Sequence, residues 1–482
     1  MNTTFEGASL KKRTVTSTLS LFFQSGYAAF LGLAANLVVT ILLSPQIFGI
    51  YITTLSFLSV LNYFSDIGLG ASLIQKKEIT DDDIKTTFTV QQLLIVSAIV
   101  IGFLLTPFIM SFYKLPREGQ FLFWALLAGF FISSLKTIPS ILLERNVKFQ
   151  KIVFVQVVEN TIFYITIIVF ALLGFKLNSF TIAVLLRSVV GLVTIYSIAF
   201  WRPSLGISTK SLKELLSFGL PIQANSFLAL IKDDFIILYL GKVLGFEGVG
   251  YIGWAKKWAE APIRIIMDNI SRVLFPVLSR TQNDKGFASK IVEKILHYQT
   301  LILAPTIIGM MLLMGTFVSL IPKYAKWEPA LPLFYIFAAA SLFSSYSTPF
   351  INLFNAIGKV KISLYLMIAW TTATWILTPF LTHFFGRPGF PMNQLLLSLT
   401  FFIVVFEAKK LITFRFIPNI YKPIVSSCIM GAGIIGILIF LNWSLYAFIA
   451  SIVVGGSLYI LSLHFLFSVN IMKEIKHIFT YD

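Results

Sequence analysis

The polar residues of this chain are gathered into short clusters, and between them lie long stretches that are almost wholly apolar. The stretches are roughly 18 to 28 residues long, which is the length an α-helix needs to cross a bilayer. They predict about 14 membrane-spanning helices, centred near Leu31, Val60, Val100, Gly129, Phe163, Gly191, Leu228, Arg264, Ile308, Phe343, Ala373, Leu399, Gly433 and Gly455. From Thr14 to Ser65 no residue is charged, and Ser44-Pro45 in the middle supplies the turn between two successive spans.

Composition agrees with the pattern. Of 482 residues, 57% are hydrophobic and 12% charged, and the mean hydropathy is +0.86. Forty-eight phenylalanines exceed what a soluble core needs to bury, so much of the surface faces lipid. This excludes a soluble enzyme, a disordered scaffold and a disulfide-built domain, since Cys428 is the only cysteine. His297, His383, His464 and His477 form no short-spaced pair, so no metal site is expected.

The net charge of +17 is topological in origin. Most of the 38 Lys and Arg fall in loops on the side that holds the N-terminus, which makes that side cytoplasmic. An even number of crossings returns the tail with Lys473 and Lys476 to the same side, so both termini are expected in the cytoplasm and no nucleic-acid partner is implied. Lys11-Lys12-Arg13 precedes an apolar stretch too long for a signal peptide, and it reads as the flank of an uncleaved first span. Loops on both sides are short, and no GxxxxGK[ST] phosphate loop occurs. Gly248 to Gly253 matches GxGxxG, but no strand precedes it, and the glycines read as a loop entering a helix.

Weak self-similarity runs through the chain. At one constant offset Gln24-Ser25 aligns with Asn225-Ser226 and Phe48-Gly49-Ile50 with Val249-Gly250-Tyr251, while Asp66 falls one residue from the counterpart of Asp268. The expected architecture is an all-α polytopic membrane protein: two six-helix bundles, residues 1–208 and 209–406, related by a parallel repeat around a central cavity. An additional helix pair and tail occupy residues 407–482.

Phe48-Gly49-Ile50-Tyr51 leading to Asp66-Ile67-Gly68-Leu69-Gly70-Ala71-Ser72-Leu73-Ile74, then Glu144-Arg145-Asn146-Val147-Lys148-Phe149, Gly248-Val249-Gly250-Tyr251, Leu274-Phe275-Pro276-Val277-Leu278-Ser279-Arg280 and Asn355-Ala356-Ile357-Gly358-Lys359 form a motif series. It resembles the polysaccharide-transporter branch (Wzx-type flippases) of the multidrug/oligosaccharidyl-lipid/polysaccharide exporter superfamily, over about Thr16 to Phe406. The resemblance implies a flippase that carries undecaprenyl-diphosphate-linked oligosaccharide repeat units from the cytoplasmic to the outer leaflet of the bacterial inner membrane, for O-antigen, capsule or exopolysaccharide assembly. Lipid II flippases of the superfamily carry arginines in their first two helices, whereas the first two spans here carry no basic residue, which disfavours a peptidoglycan precursor. The alternatives are a multidrug (organic cation) exporter and, from another class, a membrane glycosyltransferase or polymerase, which would need an extended soluble loop.

Charged groups inside spans cost several kcal/mol unless paired or facing water, and each is a candidate. Arg264, Lys136 and Arg187 are the leading substrate-binding candidates, because a guanidinium fork suits phosphate and Lys136 and Arg187 have no acid in their own spans. Lys256 and Lys257 join them, although both are also placed to snorkel. Asp66 and Glu159 are isolated acids suited either to H+ or Na+ coupling or to a salt bridge with Lys136 or Arg187. Lys256, Glu260, Arg264, Asp268 and Arg272 stand at i,i+4 spacing, a self-neutralising ladder on one helix face. Asp233 and Asp234, next to Lys232, are structural ion-pair candidates together with Glu260, Asp268 and Arg272. No resident cofactor is expected, and H+, Na+ or the membrane potential is left as the driving force. The expected partners are the lipid-linked glycan, membrane lipids and the polysaccharide polymerase machinery.

Overall fold

The computed structural model describes residues 26–28, 30–65, 67–280, 284–441 and 444–469. Asp66, the basic N-terminal cluster, the start of the first span and the tail with Lys473 and Lys476 lie outside the described residues. Everything regular among the described residues is helical, which satisfies backbone hydrogen bonds inside each segment, as hydrocarbon requires. Ten helical stretches are long and apolar enough to cross a membrane, or eleven with one bent pair. The fourteen expected centres exceed that number for a physical reason. Leu31 lies in a 17-residue helix, and Leu228 and Arg264 lie in helices interrupted by charge.

The chain forms two compact units, Met1–Gly250 and Tyr251–Asp482. The first holds α1 (Gly26–Leu42), α2 (Pro45–Ser65), α3 (Leu69–Gln75), α4 (Asp81–Tyr113), α5 (Arg117–Ser134), α6 (Thr137–Arg145), α7 (Phe149–Leu172), α8 (Asn178–Ile198), α9 (Thr209–Leu230), a π-helical turn (Ile231–Phe235) and the start of α10 (Ile236–Arg280). At 1.5 Å per residue, the 33-residue α4 is about 50 Å long and overruns a hydrocarbon core of about 30 Å. Its start is fixed by a reciprocal cap: the Thr80 side chain accepts from the Asp83 N–H at 3.2 Å, and Asp83 accepts from the Thr80 N–H at 2.9 Å.

Asp83 also anchors a latch. Lys76, just past α3, reaches Asp83 at 2.9 Å and Glu214 of α9 at 2.8 Å, and these two hydrogen bonds, Glu214 first, raise the Lys76 ammonium above its ordinary pKa. The Ser72 hydroxyl donates to the Leu215 carbonyl at 2.7 Å, and Gly68 (φ 79°) meets Gly219 backbone to backbone where no Cβ would fit. Arg145 at the end of α6 donates to the carbonyls of Leu73, Ile74, Lys76 and Lys77 at 2.6 to 3.0 Å, closing the C-terminus of α3. Elsewhere in this unit α2 and α10 touch through glycine. A Cβ on Gly49 would overlap the Phe246 carbonyl, and one on Gly250 would overlap the Pro45 carbonyl.

The second unit contains the remainder of α10, α11 (Lys285–Leu320), a 3-10 turn (Ala325–Ala330), α12 (Leu331–Ser345), α13 (Thr348–Ala356), α14 (Val360–Phe385), α15 (Gly389–Ser398), α16 (Phe401–Lys409), α17 (Ile417–Phe440) and α18 (Leu445–Phe467). One end of its core is aromatic: Trp254 stacks on Trp327 with ring centroids 5.5 Å apart and donates to the Tyr324 hydroxyl at 2.8 Å. A second cluster gathers Phe350, Phe354, Phe401, Phe414 and Phe416. The terminal pair α17 and α18 packs on α11, where the Tyr459 hydroxyl donates to the Leu301 carbonyl at 2.7 Å.

A local construction occurs in both units. α5 breaks at Leu135-Lys136 and continues as α6, while α12 breaks at Tyr346-Ser347 and continues as α13. Thr137–Arg145 answers residue for residue to Thr348–Ala356, and each ends in a left-handed residue, Val147 (φ 54°) or Gly358 (φ 76°). The following lysine N–H then bonds five residues back, from Lys148 to Leu143 and from Lys359 to Phe354.

Candidate functional site

In the first unit three of the expected charges lie together. Lys136 stands at the break between α5 and α6, and its ammonium donates to the Glu159 carboxylate on α7. The side chains are 16% and 8% exposed, so this is a buried pair. Gly191 of α8 makes the room: a Cβ there would overlap Glu159. Four residues back along α8, and therefore on the same face, is Arg187, whose guanidinium carbon lies 5.4 Å from the centroid of the Phe163 ring. Phe163 is itself one turn beyond Glu159. The phenols of Tyr51 and Tyr164 lie within electrostatic reach of Arg187, and Tyr51 stacks on Phe180 with centroids 4.0 Å apart.

Two successive layers result, an ion pair and then a cation in an aromatic setting. Among the described residues no carboxylate forms an ion pair with Arg187, so the three groups Lys136, Glu159 and Arg187 carry one net positive charge. An arginine held by ring faces keeps its N–H fork available to an anion.

Asp233 and Asp234 fall in the π-helical turn, where Asp233 lies 3.7 Å from Lys232. In the second unit Glu260 is shared: Lys256 approaches one oxygen at 3.8 Å, and Arg264 donates to the other from Nη2 at 2.9 Å and Nε at 3.3 Å. The Lys256 ammonium also lies 5.9 Å from the centroid of the Phe390 ring. The Arg264 side chain is 70% exposed, Lys257 and Asp268 are exposed, and Arg272 lies further along α10.

Sequence reasoning assigned no role to Tyr51, Tyr164 and Gly191, which complete the first cluster, or to Arg145, Lys76 and Glu214 of the latch. The partners lie on different helices, and helical periodicity within one span does not report them. The π-helical turn was equally invisible, although Lys232, Asp233 and Asp234 inside an apolar run marked the place.

A family model described as polysaccharide biosynthesis protein matches residues 38–332, and the chain belongs to this family of membrane proteins. It is similar to the lipopolysaccharide biosynthesis protein WzxC of Escherichia coli strain K12, with 25% identity over 74% of this chain and 72% of the relative. A membrane protein from the cps region of Klebsiella pneumoniae is 25% identical over 98% of both chains. Among solved structures, the lipid II flippase MurJ in an inward closed conformation superposes with a TM-score of 0.73 at 14% identity, covering 94% of this chain and 99% of that one, which establishes a shared fold. The protein is thus a multi-pass membrane protein of a polysaccharide-biosynthesis family.

Proposed function

We propose that the protein translocates undecaprenyl-diphosphate-linked oligosaccharide repeat units from the cytoplasmic to the outer leaflet of the bacterial inner membrane by alternating access, with both termini cytoplasmic. The observation that carries the reading is Arg187: a guanidinium with no carboxylate partner among the described residues, inside an apolar unit of a polysaccharide-biosynthesis family member. A diphosphate head needs such a group, whereas an organic cation would be repelled by it. Arg264, whose side chain is 70% exposed, Lys256 and Lys257 extend the same chemistry along α10. Glu159 is the coupling acid of this scheme, trading its Lys136 contact for a proton or Na+ or responding to the membrane potential, and a polysaccharide polymerase consumes the product. The recurrence of the broken-helix construction supports two bundles related by a parallel repeat.

Depletion of the protein is expected to trap lipid-linked repeat units on the cytoplasmic face, measured by leaflet-resolved labelling of the glycan in spheroplasts. Re-expression of the wild type clears them, and Arg187→Ala at equal folded amount does not. Unpolymerised intermediates on the outer leaflet would move the assignment to polymerisation, and full clearance by Arg187→Ala would remove that residue from the substrate path.

A further inference from the structure

The second unit contains a pocket of about 500 Å³ that the transport reading does not use. It is walled by α10, α11, α17 and α18, and its surface is mostly hydrocarbon, from Leu313, Phe317, Ile434 and Ile452 and from methionines 310, 314 and 430. Three polar side chains break that wall, and one of them, Thr306, already donates to the Ile302 carbonyl at 2.7 Å. The Trp258 indole N–H and the Ser451 hydroxyl are both buried, and neither has a hydrogen-bond partner among the described residues. Ser451 is fully buried. An unpaired donor in apolar surroundings forfeits a hydrogen bond that any acceptor in the pocket restores.

We propose that this pocket is a binding site for a glycerolipid, which lays one acyl chain along the methionine and aliphatic wall while its ester carbonyl accepts hydrogen bonds from Trp258 and Ser451. The chemistry of the wall selects among lipids. A polyisoprenoid tail has only carbon and hydrogen along its length, so it would fill the volume and leave both donors unpaired. Its phosphate end carries more charge than a wall with two neutral donors can solvate. A single water would leave most of the roughly 500 Å³ of apolar volume unfilled. An acyl ester has one neutral acceptor at the head of a long hydrocarbon, which matches the pocket's composition. Methionine side chains, flexible and polarizable, fit the irregular contour of such a chain.

Glycines make a clean test possible. A Cβ on Gly456, inside the pocket, meets nothing within 4 Å, and the same is true of Gly436 on α17, which does not line it. Gly456→Leu therefore fills the pocket without pushing on the backbone, and Gly436→Leu is the matched control. The full-length protein is purified in detergent, supplied separately with phosphatidylglycerol and undecaprenyl phosphate, and examined by native mass spectrometry. Phosphatidylglycerol adducts are expected on the wild type and Gly436→Leu, and to be lost from Gly456→Leu. Ser451→Ala and Trp258→Phe should each weaken retention by about fivefold, as loss of one net hydrogen bond implies. Undecaprenyl phosphate retention should be indifferent to Gly456→Leu. Equal phosphatidylglycerol retention by Gly456→Leu and wild type, or equal loss from Gly436→Leu, overturns the proposal, as does selective loss of undecaprenyl phosphate from Gly456→Leu.

Discussion

An ammonium inside a membrane protein survives by its partner, and Lys136 depends on Glu159. Removing one member of a buried pair strands the other, at a typical cost of about 3 to 5 kcal/mol, whereas replacing both with apolar groups of similar size is close to neutral. Lys136→Ala should therefore lower thermal stability in detergent far more than Lys136→Met combined with Glu159→Leu. If the double variant recovers stability but not transport, the pair has a role in coupling beyond holding α5, α6 and α7 together. At this scale legibility from sequence was uneven. The charges themselves stood out, because each lies in an apolar run, but whether Lys136 faced a cavity or an acid depended on the packing of α6 against α7 and of α5 against α8. The alternating ladder was readable from spacing alone, since i,i+4 neighbours share a helix face, and Glu260 does sit between Lys256 and Arg264.

Among the elements, α3, α4 and α9 are joined at one end by groups of different worth. Asp83 closes the cap of α4 and receives Lys76 while itself fully buried; Glu214 contributes only a half-exposed contact to the same lysine. Asp83→Ala removes the cap and one of the two acid partners of Lys76, and should cost about 2 kcal/mol or more. Glu214→Gln should cost less than about 1 kcal/mol, as exposed pairs do. Thermal unfolding of the two variants side by side checks the order, and a larger effect from Glu214 would show that the latch is held by α9 rather than by the cap. The long helices were legible because apolar length is written along the chain. The breaks at Leu135-Lys136 and Tyr346-Ser347 were not, since the apolar run continues through both.

For the whole molecule, the asymmetry of basic residues predicts a definite orientation. Gly174 lies in the turn between α7 and α8, where its backbone is left-handed and a Cβ meets open space, and Lys148 is exposed at the other end of α7. With Cys428 replaced, a cysteine at 174 should react with a membrane-impermeant thiol reagent applied to intact spheroplasts, and a cysteine at 148 only after the membrane is opened. The reverse result would invert the direction of transport. Membrane class was legible from composition and family from scattered motifs, because both are properties of the chain; substrate preference resides in how helices from distant parts of the sequence meet.

The order in which the ribosome delivers Lys136 and Glu159 has a consequence for biogenesis. They are separated by 23 positions, so the ammonium leaves the insertion machinery before its carboxylate has been delivered. During that interval α5 and α6 hold an uncompensated charge, which favours their waiting beside the translocon, and release into lipid becomes favourable once α7 arrives. A buried pair divided between successive segments therefore favours committing α5, α6 and α7 to the bilayer together rather than one at a time.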